Sequence, residues 1–225
     1  MEFKRKKMKG AVVHFREENN IILGYTEKDS DVDTVKEFFG VDKAVQLDQI
    51  HGNKILFTSE VKDYPKGDGL ILDEKKVMAV IRTADCTPLF FRSDNGKTAG
   101  VIHIGWRGLY SLIGINLLGI LKKNGSKMNN YHFFTGPAIE GDCYTVQQDV
   151  ADKFSGFSFG NNILKKTSEG YSLDVTKGIE LCLIEQGVPK NNIHHSGICT
   201  LCDPRFPSYR GGDREKRIFN FIIRL

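Results

Sequence analysis

The sequence predicts a single mixed α/β domain. Its length of 225 residues suits one domain, its hydrophobic fraction of 40% can supply a packed core, and short apolar runs alternate irregularly with longer helical patterns. The irregular order argues against a regular parallel series of β–α–β units. Neither an internal repeat nor a low-complexity linker divides the chain, so we expect residues 1–225 to form one domain.

Short apolar runs in the middle of the chain predict three strands. They cover residues 77–81, 88–91 and 99–104, and turn-forming residues separate them. A polar break at residues 83–87 lies between the first two runs. Functional side chains are often placed at such breaks beside rigid strands, so this break is a candidate part of a site.

Three longer segments predict helices. Residues 109–123 are rich in Leu and Ile and close with a stop signal at residues 122–125. Residues 147–154 predict a shorter helix. Residues 173–186 include Asp174 as a candidate N-cap and end before a glycine.

Composition and charge exclude several classes of protein. The net charge is only +4, and the basic runs at residues 4–7 and 214–217 are typical of solvated surfaces, so we expect no nucleic-acid partner. No run approaches the roughly 20 apolar residues of a membrane helix, and no apolar segment follows the basic start. Five scattered cysteines do not suggest a disulfide framework, so we expect a reducing, cytoplasmic location. The pattern does not determine the oligomeric state.

Two histidines and a cysteine stand beside a glycine or a polar break, where a metal ligand could be presented: His51, Cys86 and His103. Imidazole and thiolate groups suit zinc, and three protein ligands leave a fourth position open, which is typical of catalytic zinc sites. Their separations are too long for a local zinc-finger pattern. Spacing alone therefore leaves open a buried thiol, hydrogen-bonded core histidines, or a hydrolase with Cys86 as nucleophile.

A series of motifs resembles the YfiH/laccase-domain family. In chain order they are QIHG at 49–52, GDG at 67–69, TADCTP at 83–88, HIGWRG at 103–108, GPAI at 136–139 with Cys143-Tyr144, and Cys199-Thr200 with FPSYR at 206–210. Each motif is weak by itself. The ordered set, which runs from Gln49 to near the C-terminus, is specific.

The resemblance implies a layered α/β domain of the YfiH type in which His51, Cys86 and His103 bind zinc. It also implies a purine nucleoside phosphorylase that acts on adenosine, inosine and 5′-methylthioadenosine, with adenosine deaminase activity. The family is also called copper polyphenol oxidase and peptidoglycan editing factor. A multicopper site needs many histidine ligands and this chain has six histidines, so we do not expect laccase activity. A cysteine amidohydrolase acting on peptidoglycan precursors is the alternative, and a non-catalytic metal-storage or partner protein is a third hypothesis.

Phosphorolysis requires an anion site and groups that move protons, which suggests roles for individual residues. Guanidinium groups match phosphate oxygens in bidentate contacts, and a carboxylate can act as acid or base. The candidate catalytic residues are Asp85, Cys86, Arg107 and Cys143, and the candidate substrate ligands are Gln49, Asp68, Arg107 and Arg210. Structural alternatives remain for Arg107 as a partner of Trp106, for Asp68 as a turn residue and for Cys143 as a buried thiol. The usual zinc deaminase signature, His-x-Glu with a later Pro-Cys-x-x-Cys, is absent.

The remaining cysteines and two departures from the family pattern complete the predictions. Cys199 and Cys202 lack a second pair for a zinc ribbon, so Cys199 is left as a motif residue of unknown role and Cys202 as structural. Cys182 lies among apolar residues and is expected in the core. Thr145 and Gly211 stand where relatives often carry Glu and Arg, which leaves the substrate preference open.

Overall fold

The computed structural model describes residues 3–123, 125 and 127–225, and within them the strands form two six-stranded sheets and a three-stranded sheet. The first sheet contains, in spatial order, β1 (Lys4–Met8), β2 (Ala11–Glu18), β3 (Ile21–Thr26), β15 (Ile218–Arg224), β7 (Val77–Thr83) and β4 (Lys43–Val45). The second contains β14 (Ile193–His195), β10 (Tyr131–Thr135), β8 (Thr87–Ser93), β9 (Ala99–Ile104), β6 (Gly69–Leu72) and β5 (Ile55–Phe57). The small sheet contains β11 (Thr145–Val146), β13 (Gly170–Leu173) and β12 (Leu164–Thr167). The α-helices are α1 (Val32–Phe38), α2 (Trp106–Tyr110), α3 (Ile113–Lys123), α4 (Gln148–Phe154), α5 (Gly160–Ile163) and α6 (Val175–Glu185).

The two large sheets pack face to face, and successive side chains of one strand explain how. In β8, Phe90 packs between the sheets, whereas Leu89 and Phe91 pack on the opposite face against the helices. Side chains of a strand alternate between faces, so a strand covered on both sides is apolar at consecutive positions. This double burial is the reason that the apolar runs in the sequence are continuous.

Helices cover the outer face of each large sheet. Leu117 of α3 and Ile179 of α6 belong to the cluster on the second sheet, and Val35 of α1 packs on the first. The molecule is thus layered as helix, sheet, sheet and helices. The predicted mixed α/β layered fold is confirmed.

The predicted polar break is the point where the chain crosses between the large sheets. β7 ends at Thr83 in the first sheet and β8 begins at Thr87 in the second, which leaves residues 84–86 as the crossing turn. Asp85 adopts φ 86°, a left-handed conformation that is uncommon outside glycine. The turn therefore holds Cys86 between the sheets on a tightly bent backbone.

The helix predicted at residues 109–123 is wrong as a single element. The structure divides it into α2 and α3, with Leu112 at φ 59° between them. The break is stabilised at Ser111, whose hydroxyl donates to the carbonyl of Arg107 at 2.9 Å and whose own carbonyl accepts from the Asn53 side chain at 3.0 Å. These local hydrogen bonds compete with a continuous helix. The predicted stop signal includes Asn124, which lies outside the described residues.

The other predicted helices are confirmed within one or two residues. α6 begins after Asp174, whose side chain accepts the backbone N–H of Lys177 at 2.8 Å as the expected N-cap. α4 covers nearly the whole of the predicted segment. Of the helices in the described ranges, none is long and apolar enough to span a membrane.

Candidate active site

A pocket of about 530 Å³ opens where the crossing turn meets the end of β9 and the start of α2. Most of the residues singled out in the sequence line it. They are Gln49, His51, Asp85, Cys86, His103, Arg107 and Arg210. The fold therefore brings together motifs that are far apart in the chain.

His51, Cys86 and His103 form a compact cluster in this pocket. One ligand atom from each lies within 4.8 Å of the others, and the two imidazole rings are nearly perpendicular, with centroids 4.7 Å apart. His103 is buried, Cys86 is half-buried and His51 is exposed. The cluster can thus hold one metal ion and still be reached from the pocket.

Asp68 lies outside the pocket lining and orients both histidines through hydrogen bonds. Its carboxylate accepts the backbone N–H of His51 at 2.9 Å and that of Gly52 at 2.7 Å, and it accepts Nδ1–H of His103 at 2.9 Å. Because the carboxylate holds Nδ1–H, Nε2 is the nitrogen of that imidazole that can give up its proton and bind a metal ion. The contacts of Asp68 also support the φ of 59° at His51.

The protonation of the cluster suits a thiophilic cation. Burial by itself raises the pKa of Cys86, but the charge of His103 and hydrogen bonds from both histidines lower it to about 6. Burial likewise lowers the pKa of His103, but the Cys86 thiolate and the Asp68 carboxylate raise it to about 9. A thiolate beside a proton-holding imidazole is the donor set that exchanges its proton for a metal ion.

Gly105 leaves the space that the cluster needs. A Cβ atom at this position would lie 3.0 Å from Sγ of Cys86 and 3.2 Å from Cδ2 of His51. Both distances are shorter than ordinary van der Waals contact, so any side chain here would press on Cys86 and His51.

The pocket walls are positively charged. Among the described residues, four arginines and one carboxylate line the pocket: Arg82, Arg107, Arg210, Arg217 and Asp85. The guanidinium of Arg107 lies 4.4 Å from the ring centre of Trp106, and that of Arg210 lies 4.8 Å from the ring centre of Tyr144. Such a wall favours an anionic ligand beside aromatic surfaces.

Asp85 ties the C-terminal segment to the pocket. Its carboxylate accepts the hydroxyl of Thr200 at 2.7 Å and the backbone N–H of Arg210 at 2.8 Å. Each oxygen thus holds one partner, and the residue is buried. The backbone at Arg210 is fixed by a residue next to Cys86.

Comparison with known proteins places the chain in a family. The sequence model described as multi-copper polyphenol oxidoreductase laccase matches residues 26–224. A relative from Bacillus subtilis, named purine nucleoside phosphorylase YlmD, is 30% identical over 225 residues that cover 90% of this chain and 81% of the relative. Another from Rickettsia prowazekii, named purine nucleoside phosphorylase RP494, is 29% identical over 80% of this chain and 76% of its own.

The chain belongs to this laccase-domain family.

Solved structures agree with the family membership. YfiH from Bacillus licheniformis has a TM-score of 0.85 at 24% identity, covering 98% of both chains. YlmD from Geobacillus stearothermophilus has a TM-score of 0.84 at 23% identity, covering 99% of this chain and 98% of that one. The resemblance that the motifs indicated is confirmed.

Two residues predicted at the site of this laccase-domain protein do not line its pocket. Asp68 lies behind the histidines, and its contacts make it an orienting group rather than the turn residue considered from the sequence. Cys143 lies beside Cys199 and Cys202, so the structure does not bring it to Cys86. Substrate binding by Asp68 and catalysis by Cys143 stay predictions.

Several pocket residues had no role assigned from the sequence, among them Arg82, Tyr144 and Arg217. Arg82 directly precedes the TADCTP motif, Tyr144 lies within a recognised motif without an assigned role, and Arg217 was placed in a solvated basic run. The neighbouring motif was the available signal for Arg82 and Tyr144. No local signal distinguishes Arg217 from the other basic residues around it.

Proposed function

We propose that this laccase-domain chain is a zinc-dependent purine nucleoside phosphorylase that acts on adenosine, inosine and 5′-methylthioadenosine, with adenosine deaminase activity. The observation that carries the proposal is the His51–Cys86–His103 cluster in a pocket walled by arginines. The names of the relatives support the reaction class. A cytoplasmic location and the absence of a nucleic-acid partner stay predictions.

The donor set supports zinc rather than several copper ions. Two imidazoles and one thiolate suit a borderline-soft ion, and three ligands leave a position for substrate. Among the described residues, the other group of potential metal ligands contains only thiols, so no second histidine-bearing centre accompanies the first. His14 is bonded to Glu27, and His195 to Thr135. When bound, zinc would supply Lewis-acid assistance to an oxygen or nitrogen atom of the substrate.

In phosphorolysis, the bond from C1′ of the ribose to the purine nitrogen breaks, a phosphate oxygen bonds to C1′, and the departing purine takes up a proton. Arg107 and Arg210 supply positive charge for the phosphate. Trp106 and Tyr144 supply flat surfaces against which a purine can stack. Positioning the two reactants together is the main contribution that such walls make.

Tyr144 is also a candidate proton donor to the purine. Burial and the negative charge of Cys86 raise its pKa, against the opposing effect of Arg210 and Arg107. The phenol therefore keeps its proton at neutral pH and can donate a hydrogen bond in the pocket. Asp85 contributes by holding the backbone of Arg210, and its predicted catalytic role is untested.

Deamination of adenosine is the second activity in the proposal. It requires attack of water at C6 of the purine and release of ammonia, and in this fold the reaction would use the same pocket without the usual deaminase glutamate. Asp85 is the lining carboxylate in the described part of the chain, and both its oxygens already accept hydrogen bonds. We therefore expect deamination to be the slower activity.

The cysteine amidohydrolase alternative is not favoured. The order Cys86, His103 and Asp68 resembles a nucleophile, a base and an orienting acid. His51 has no necessary part in that arrangement, however, and the relatives carry the phosphorylase name.

The test is chromatography of adenosine and of inosine incubated with zinc-loaded protein, with and without phosphate. We expect phosphate-dependent adenine and hypoxanthine from the wild type and none from Cys86→Ala. Cys182→Ala, which removes a thiol from the core, is the matched control and should keep activity. Inosine formed from adenosine without phosphate would support deamination separately.

Absence of any product from the metal-loaded wild type would overturn the proposal. Rapid alkylation of Cys86 in protein that purifies with little metal would favour the amidohydrolase instead. Stoichiometric zinc with no turnover of any nucleoside would favour a metal-storage role.

A further inference from the structure

A second group of potential metal ligands lies outside the pocket. The thiols of Cys143, Cys199 and Cys202 all lie within 4.8 Å of one another, and Sγ of Cys143 is 3.4 Å from Sγ of Cys202. All three are free cysteines. Cys199 is buried, Cys143 is half-buried and Cys202 is exposed, so the group reaches from the interior to solvent.

The three thiols come from two segments that the fold holds side by side. Cys143 ends the short 3₁₀ turn Gly141–Cys143, and Cys199 forms a bridge with Ala138 on the same segment. The backbone N–H of Thr200 donates to the carbonyl of Ala138 at 3.0 Å. These backbone contacts hold the two segments beside each other.

Cys199 and Cys202 lie on one closed backbone turn that presents both thiols. The backbone N–H of Asp203 donates to the carbonyl of Cys199 at 3.0 Å, which closes the turn around the thiol. Turns of this kind, with two cysteines three residues apart, are the usual half of a thiolate zinc site.

We propose that Cys143, Cys199 and Cys202 bind a second zinc ion through three thiolates, separately from the His51–Cys86–His103 centre. The third ligand that the sequence lacked for a zinc ribbon is Cys143, which is distant in the chain and adjacent in space. Each thiol that is protonated releases its proton to solvent when the ion binds, and water completes the coordination. Thiolate groups select zinc over harder cations such as magnesium and calcium.

The ion would brace one wall of the pocket. One of the two segments continues directly into Tyr144, and the other leads to Tyr209 and Arg210, all of which line the pocket. A zinc ion shared by the segments would fix them to each other at a point outside the pocket. The site is structural by this argument, because its ligands are absent from the pocket lining.

The test is the zinc content of reduced protein, measured by plasma mass spectrometry after zinc loading and gel filtration. We expect two zinc ions per chain in the wild type and one in His51→Ala/His103→Ala. We also expect one in the triple variant Cys143→Ser/Cys199→Ser/Cys202→Ser. Cys202→Ser alone is the milder variant, because that side chain is exposed, and it should weaken zinc retention under a competing chelator.

Leu201→Ala is the matched control, since Leu201 is an exposed residue between the two cysteines and should leave both ions bound. The proposal would be overturned if the wild type bound one zinc ion per chain and either the triple variant or Cys202→Ser retained the same zinc content. A Cys143–Cys202 disulfide found by peptide mass spectrometry in protein purified with reductant would also overturn it. The readout is metal content, so it is independent of whether the chain is a phosphorylase.

Discussion

At the scale of single residues, Asp68 organises the candidate metal centre without touching the pocket. It is fully buried and accepts hydrogen bonds from the backbone of the His51 turn and from the ring of His103. Burial raises the pKa of Asp68, but these hydrogen bonds and the charge of His103 lower it. The residue therefore stays ionised and can orient ligands at neutral pH.

Removal of this carboxylate is expected to weaken zinc binding. Asp68→Ala leaves Nδ1–H of His103 and two backbone N–H groups without their acceptor, and loss of such an orienting group lowers metal affinity by about 10- to 100-fold. A competition titration with a chelating dye measures this. Asp73→Ala is the control, because Asp73 accepts comparable hydrogen bonds from Thr58 and Ser59. Equal affinities of Asp68→Ala and the wild type would contradict this role.

Arg210 is the residue at which phosphate binding is tested most directly. Arg210→Ala removes a guanidinium from the pocket wall, and a hydrogen bond to a charged group contributes about 1.5–3 kcal/mol. We expect kcat/KM for phosphate to fall by about 10- to 100-fold, with metal content unchanged. Steady-state kinetics at saturating nucleoside measures the change.

Arg205→Ala is the control for this variant, since Arg205 pairs with Asp203 and does not line the pocket. An unchanged KM for phosphate in Arg210→Ala would assign the anion site to the other arginines.

The candidate metal ligands could be proposed from the sequence because the family motifs contain them. That these residues lie close together could not be predicted from the sequence. It depends on the tertiary fold, which brings together the loop at His51, the crossing turn at Cys86 and the end of β9. Arg217 was not identified as a pocket residue because only the tertiary fold brings it to the pocket. Cys143 was assigned to the site by the resemblance of its motif alone, and the structure places it beside Cys199 and Cys202 outside the pocket lining.

At the scale of elements, the first turn of α6 supports the pocket floor. Val175 lines the pocket directly after the N-cap Asp174. Loss of an N-cap acceptor destabilises by about 1 kcal/mol. We expect Asp174→Ala to lower the free energy of unfolding by that amount, measured by urea denaturation. Asp174→Asn keeps an acceptor oxygen and should stay close to the wild type. Equal losses in both variants would show that capping is not the cause.

The edge of the first sheet carries a pH-dependent ion cluster. Glu27 accepts from Arg5 Nε at 2.7 Å and contacts Nε2 of His14 at 2.9 Å, so the residue after β3 is linked to both β1 and β2. Burial raises the pKa of Glu27, but the hydrogen bonds and charges of Arg5 and His14 outweigh burial and lower it. A carboxylate with a lowered folded-state pKa stabilises the protein above its unfolded-state pKa.

The stability of the Glu27→Gln variant is therefore expected to depend on pH. The variant should be less stable than the wild type at neutral pH. The difference should begin to shrink as pH falls below the unfolded-state pKa of about 4.3, and it should vanish once the pH is below the lowered folded-state pKa of Glu27. Melting temperatures across this range measure the effect. Glu17→Gln, on the exposed part of β2, is the control. A difference that is constant with pH would contradict the ion cluster.

The elements themselves were predicted best where a single pattern controls them. Continuous burial in β7, β8 and β9 follows from apolar runs, and the start of α6 follows from Asp174. The break at Leu112 escaped prediction because it depends on a hydrogen bond from Asn53, which is remote in the sequence.

At the scale of the whole molecule, the fold brings the C-terminal part of the chain to a site formed by its middle part. The last strand, β15, lies between β3 and β7 in the first sheet, and the segment before it carries Arg210 and Arg217 into the pocket beside Cys86. Strand order of this kind depends on long-range packing, which sequence periodicity does not encode. The family resemblance supplied the fold, whereas composition and periodicity alone reached only its class.

The central claim is that the pocket transfers the ribosyl group of a purine nucleoside to phosphate. Phosphorus NMR of inosine and inorganic phosphate with the zinc-loaded protein tests it most directly. We predict that a ribose 1-phosphate signal grows in step with hypoxanthine in the wild type and is absent in Cys86→Ala. Hypoxanthine that forms while the phosphate signal stays constant, or an equal rate in Cys86→Ala, would contradict phosphorolysis at this centre.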